Sequence, residues 1–127
     1  MLTTTLLRPS DREAVHHFAV TSPYEFFDAS TAQQISSGNL QAICAWRNNR
    51  LVGLLTWVPA GIRRYALLVA IESRASGGGT QLLRELDRQL QASCTRRLKV
   101  TTLRSDCASQ MRHLLANTLT LTPEIPT

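Results

Sequence analysis

The run Arg74-Ala75-Ser76-Gly77-Gly78-Gly79-Thr80 has the make-up of an anion cradle. An apolar, strand-like segment, residues 65–71, precedes it, and residues 81–90 follow with helical periodicity. Strand, glycine-rich turn and helix start, in that order, leave the first amides of the helix without intrahelical partners, pointing outward toward a phosphate. Glycine lets such a turn take positive φ and approach a ligand with no Cβ in the way.

Spacing excludes two familiar glycine loops. A P-loop requires Lys and then Ser or Thr after its last Gly, whereas Gly79 is followed by Thr80 and Gln81. The dinucleotide fingerprint G-x-G-x-x-G, with an acidic residue about 20 positions on, does not fit either. What fits is R-x-x-G-x-G, read as Arg74, Gly77 and Gly79, after Val69-Ala70-Ile71-Glu72.

This pattern resembles the acyl-CoA-binding motif of the GNAT superfamily of N-acetyltransferases, and the elements on either side follow that family's order over most of the chain. The resemblance implies an α/β (α+β) fold. Its sheet would be mixed but mostly antiparallel, flanked by helices, with the fourth and fifth strands parallel and splayed, in one domain over residues 1–127. It also implies acetyl-CoA as co-substrate or ligand. Backbone groups of Arg74, Ala75, Ser76, Gly77, Gly78, Gly79 and Thr80 would hold its pyrophosphate. The strand edge at Leu67, Leu68 and Val69 would pair with the pantetheine amides, and a backbone amide there would polarise the thioester carbonyl. An acceptor amine would then be acetylated directly in a ternary complex. Gly77 and Gly79 are expected to be the demanding positions. Gly78 stands where the family often carries Ile or Val, so Gly78→Val is expected to be tolerated.

The catalytic groups are harder to place. Acetyl transfer needs a neutral amine, and a carboxylate or a water chain can take its proton. Glu25 and Asp28, in the segment expected to line the acceptor pocket, are the candidate bases; Glu72 is expected at the strand end, facing solvent. The family's N-x-x-A-x-x-x-Y pattern, set with Ala108 on its Ala, places Ser105 at the Asn and Arg112 at the Tyr that often protonates the leaving thiolate. His113 is adjacent, but neighbouring helix positions point about 100° apart. A second reading therefore stands beside the first: a non-catalytic acetyl-CoA-binding regulator of a partner protein on the same fold. No Ser-His-Asp arrangement and no metal-ligand spacing is evident.

The elements that must position the cradle read as follows. Residues 3–7 form a first strand ended by Pro9. Ser10 and Glu13 suit a capping box for a helix over residues 11–20, with Ala14, Val15, Phe18 and Ala19 on its apolar face. A short second helix ends at Gly38. Gln41–Arg47 and Arg50–Val58 form a hairpin about Asn48-Asn49, whose register pairs Arg47 with Arg50, Trp46 with Leu51 and Cys44 with Gly53. Residues 63–71 make the fourth strand, and residues 97–103 the fifth. Leu82, Leu83, Leu86 and Leu90 mark the buried face of the helix between them. Ser105 can cap a last helix, and Leu119 and Leu121 alternate with threonines as a final short strand.

Composition narrows the class. The chain has 127 residues, a formal net charge of +5 and three cysteines without metal-like spacing. One domain with reduced thiols, cytoplasmic, is expected, with no signal peptide and no membrane span. The basic residues are scattered, with Arg63-Arg64 and Arg96-Arg97 only as pairs, so nucleic acid is not an expected partner. Exposed strand edges make a homodimer plausible.

Overall fold

A computed structural model describes residues 1–22, 31–62, 64–101 and 108–125. In chain order it contains β1 (Thr3–Leu6), α1 (Arg12–Val20), α2 (Thr31–Ser36), β2 (Gln41–Arg47), β3 (Arg50–Val58), β4 (Ala66–Ser73), α3 (Gly78–Ala92), β5 (Leu98–Val100) and α4 (Ala108–Thr118). The strands form one sheet in the order β1-β2-β3-β4-β5. All pairings are antiparallel except β4 with β5, which is parallel. A strand-helix-strand crossover through α3 requires that parallel pair. The mixed, mostly antiparallel sheet flanked by helices is thus the observed architecture.

Each face of the sheet has its own core. Leu82, Leu83, Leu86 and Leu90 of α3 lie on one face with Ile43, Leu55, Trp57, Leu68, Leu98 and, from α4, Leu115. The four leucines are at most 1% exposed, and burial of each stabilises the fold by about 2 kcal/mol. On the other face Val15, Phe18 and Ala19 of α1 and Ile35 of α2 cover Ala42, Cys44, Leu54 and Ala70. Burial pushes the Cys44 thiol up to about 12, so it is an inert part of this core.

The β2–β3 turn has the left-handed geometry its two asparagines favour, with φ of 52° and 62°. The register differs from expectation at its third pair. Trp46 faces Leu51, but Ala45 faces Gly53 and Cys44 faces Leu54. Val52 is the extra residue of a β-bulge, which no hairpin turn rule specifies.

Three other expectations are corrected. The cap at the start of α1 is not Ser10. Pro9–Asp11 forms a 3-10 turn, and the Asp11 carboxylate accepts the Arg8 backbone N–H at 2.9 Å and the Arg8 guanidinium at 3.1 Å. Burial pushes the Asp11 carboxyl up, but these Arg8 bonds outweigh it and hold it below the usual range. Proline favours the first position of such a turn, which moves the box toward the N-terminus. The fourth strand runs to Ser73 rather than ending at residue 71. No strand forms at Leu119 and Leu121, both of which pack against the α3-side core. Instead Glu124 makes a single parallel bridge to Lys99. The expected Ser105 cap lies outside the described residues, as do Glu25 and Asp28.

Candidate functional site: the fork between β4 and β5

β4 and β5 pair only over Ala66–Leu98, Leu67–Lys99 and Leu68–Val100. The last links between them come from Thr101, whose N–H donates to the Leu68 carbonyl at 3.1 Å and whose Oγ1 donates to the Val69 carbonyl at 2.7 Å. Val69 is also the extra residue of a bulge against β3, since Trp57 faces Leu68 and Thr56 faces Ala70. A bulge increases local twist and re-aims the strand. Past it, among the described residues, β4 has no partner on its β5 side. Leu67 and Leu68 are therefore covered by β5, and among the described residues the β5-side edge of β4 carries no strand partner from Val69 to Ser73.

That edge leads into the glycine turn. Gly77 has φ +81°, in the left-handed region, and is the cap residue before α3. The helix begins at Gly78, three residues earlier than periodicity alone places it. Gly78 donates to the Ala75 carbonyl at 3.0 Å, and Gln81 makes the first helical bond, to Gly77, at 3.2 Å. Among the described residues, the N–H groups of Ser76, Gly77, Gly79 and Thr80 have no hydrogen-bond acceptor. Four open donors at the positive end of a 15-residue helix are what an anion requires.

The three glycines have different reasons to be glycine. Gly77 needs its positive φ. A Cβ on Gly78 would run into the Ser73 side chain, its Cβ only 3.1 Å away. A side chain there would require Ser73 to shift, against the expectation that valine is tolerated: the turn is packed onto β4 at Gly78, not at Gly79. A Cβ on Gly79 would meet only Leu114, at an ordinary 3.5 Å, and φ there is not positive. Ser73 itself braces the turn, donating to the Ala75 carbonyl at 2.7 Å and accepting the Ala75 N–H at 3.3 Å.

Arg74 is not turned toward the cradle. Its Nε donates to Glu72 at 2.9 Å, one Nη to Thr21 Oγ1 at 2.9 Å and the other to the Phe18 carbonyl at 2.8 Å. Its guanidinium lies 3.7 Å from the Phe18 ring centre. Arg74 thus ties the turn to the C-terminal end of α1. Glu72 faces the same side, buried rather than solvated, and also accepts from Ser22 Oγ. Sequence reasoning missed this cluster of Thr21, Ser22 and Glu72, although a period of two from Ala70, on the α1 face, marks Glu72 as facing the same side once the strand is extended. His113 is hydrogen-bonded to Asn117 at 2.9 Å on the exposed side of α4. Among the described residues no group of three or more His, Cys, Asp or Glu could hold a metal ion, and no helix is long and apolar enough to cross a membrane.

No family model and no curated protein matches the chain. Solved structures do. A transcriptional regulator from Bacillus halodurans superposes with a TM-score of 0.72 at 16% identity, covering 91% of each chain. A GNAT-family acetyltransferase from Streptococcus pneumoniae gives 0.68 at 20% identity, over 92% of this chain and 82% of its own. A GNAT-family acetyltransferase from Brucella melitensis, solved with acetyl-CoA, gives 0.64 at 14% identity, over 87% and 81%. With a parallel β4–β5 pair at the edge of a mostly antiparallel sheet, a glycine turn opening α3 and these structural likenesses, the chain has the fold of the GNAT acetyltransferases.

Proposed function

We propose that the protein binds acetyl-CoA in the fork and acetylates an amine. The observation that supports this best is the set of four acceptor-free amides, Ser76, Gly77, Gly79 and Thr80, at the mouth of an opened strand pair. These donors fit a pyrophosphate, and the open edge of β4 beyond Val69 fits the amides of a pantetheine arm by strand addition. This moves the pantetheine contact from Leu67 and Leu68, which β5 covers, to Val69 and the residues after it. Arg74 supports the cradle by fixing it to α1 rather than by touching phosphate.

Bound there, acetyl-CoA supplies an acetyl thioester. The chain's part is to hold that carbonyl against backbone donors and to take one proton from the incoming amine. Glu25 and Asp28 are the proposed bases. Glu72 is committed to Arg74 and Ser22, and that commitment favours a second reading, a regulator that binds acetyl-CoA without turnover. Calorimetric titration with acetyl-CoA tests the first step; one-to-one binding is expected, and its absence rejects both readings. Mass spectrometry on a panel of small amines and peptide N-termini then separates them. Acetylated product that falls in Glu25→Gln or Asp28→Asn, with acetyl-CoA affinity kept, assigns the enzyme. Binding without product assigns the regulator.

A further inference from the structure

At the end of the sheet away from the glycine turn, the loop after β3 and the loop after α3 flank an open cavity of about 470 Å³. We propose that this cavity is a second binding site, for a small anion that presents phosphate or carboxylate oxygens to Arg64 and Arg96. Its size is in the range of small-molecule sites. It is independent of the fork and of any acetyl-CoA bound there.

The lining is one-sided in charge. Arg64 and Arg96 both contribute, and among the described residues no Asp or Glu does. Among the described residues Arg8 pairs with Asp11, Arg74 with Glu72, Arg88 with Glu85 and Arg97 with Glu124; Arg12, Arg47, Arg50 and Arg84 form no ion pair, but none of them lines this cavity. Arg64 and Arg96 have no such partner. They lie more than thirty positions apart in the chain, and the crossover through α3 brings them to one cavity. Arg64 is held at φ +63°, in a region that side chains other than glycine rarely adopt. Trp57, also in the wall, has a buried indole Nε1–H with no acceptor. The charged side chains of the wall are therefore both guanidinium forks, which match oxyanions.

One term opposes an anion here. The cavity adjoins the C-terminal end of α3, which carries roughly half a negative charge. That end is closed, however. Ser93, Cys94 and Thr95 donate their N–H groups to Gln89, Gln91 and Leu90, at 3.1, 3.1 and 2.8 Å. Ser93 Oγ adds a bond to the Gln89 carbonyl at 2.9 Å. Two whole positive charges outweigh what remains.

Cys94 lines the same cavity, is exposed and is a free thiol, so it reports occupancy. Cys44 is buried and silent. In a Cys107→Ser background, the rate of Cys94 alkylation by uncharged N-ethylmaleimide is measured against rising pyrophosphate or citrate, at ionic strength fixed with sodium chloride. Saturable protection by either anion is expected, and the anion that protects identifies phosphate or carboxylate. In Arg64→Ala and Arg96→Ala the half-protection concentration rises roughly tenfold or more, the worth of one charge-assisted contact. Both side chains are exposed, so both variants keep the wild-type circular dichroism spectrum. No protection by either anion overturns the proposal. So does protection unchanged in both variants, or protection only by a single-stranded oligonucleotide, which would make this face a nucleic-acid surface.

Discussion

The two ends of α3 are built on opposite principles. At its N-terminal end four amides are left open among the described residues, the first turn holds no acidic residue, and the Arg74 guanidinium is turned back onto α1. At its C-terminal end the last carbonyls are closed by Ser93, Cys94 and Thr95, with Cys94 in the left-handed conformation at φ +56°. A helix end closed by its own chain gains stability and offers a ligand no backbone group. An end left open gives up that stability and keeps directional donors for whatever arrives. Recognition at the first end belongs to the backbone, and at the second it can come only from side chains.

Substitutions can break this contrast. Gly78→Val should have the largest effect, because its Cβ and methyl groups meet Ser73 in the tightest part of the turn. A loss of about 2–3 kcal/mol is expected in urea denaturation, with acetyl-CoA binding lost. Adding Ser73→Gly should restore much of the stability; no recovery would mean that Ser73 is not the obstacle. Arg74→Ala comes next, at about 2 kcal/mol, because it leaves Glu72 buried with fewer partners, though the arginine is itself one-third exposed. With Glu72→Gln added, the double variant should lose less than the sum of the two single losses. An Arg74→Ala protein of wild-type stability but weak, salt-dependent acetyl-CoA binding would return Arg74 to the phosphate.

Smaller effects sharpen the contrast. Gly77→Ala should cost about 1 kcal/mol through its positive φ and weaken acetyl-CoA binding in titration. Gly79→Ala should stay within about 0.5 kcal/mol of wild type. Equal losses at the two glycines would show that φ is not what distinguishes them. At the closed end, Cys94→Gly should raise thermal stability by about 0.5 kcal/mol, since glycine occupies that left-handed position without strain. It should leave acetyl-CoA binding at the far end untouched.

The sequence was most legible where structure is set locally. The Asn48-Asn49 turn, the bounds of β2 and β3 and the four-leucine face of α3 follow from residue type and period. The glycine spacing located the turn that opens α3, and Gly77 carries the positive φ expected of that turn. What stayed hidden depends on what packs against what. The bulges at Val52 and Val69 reflect how the sheet twists under α3 and α1. The unsuitability of Gly78 for a side chain depends on Ser73, five residues earlier on a strand that had been ended too soon. Arg74 was assigned by its place in a motif, but Phe18, Thr21 and Glu72 surround it only after α1 has packed on the sheet. Glu25 and Asp28 lie outside the described residues and remain proposals.

Among the described residues β5 spans only Leu98–Val100, and its outer edge is bonded to one later residue. Glu124 donates to the Leu98 carbonyl at 2.8 Å, accepts the Val100 N–H at 2.9 Å and pairs with Arg97 through its carboxylate. Thr120 fastens the segment leading to it onto Asp87 of α3, with N–H and Oγ1 donating at 2.9 and 3.0 Å. An uncovered strand edge is a template on which chains aggregate. During synthesis that edge stays bare until more than twenty further residues have emerged, whereas the β2–β3–β4 meander can already have formed. Guarding the nascent sheet is therefore a late event, and shortening the chain before Glu124 should cost solubility well before it costs the fold.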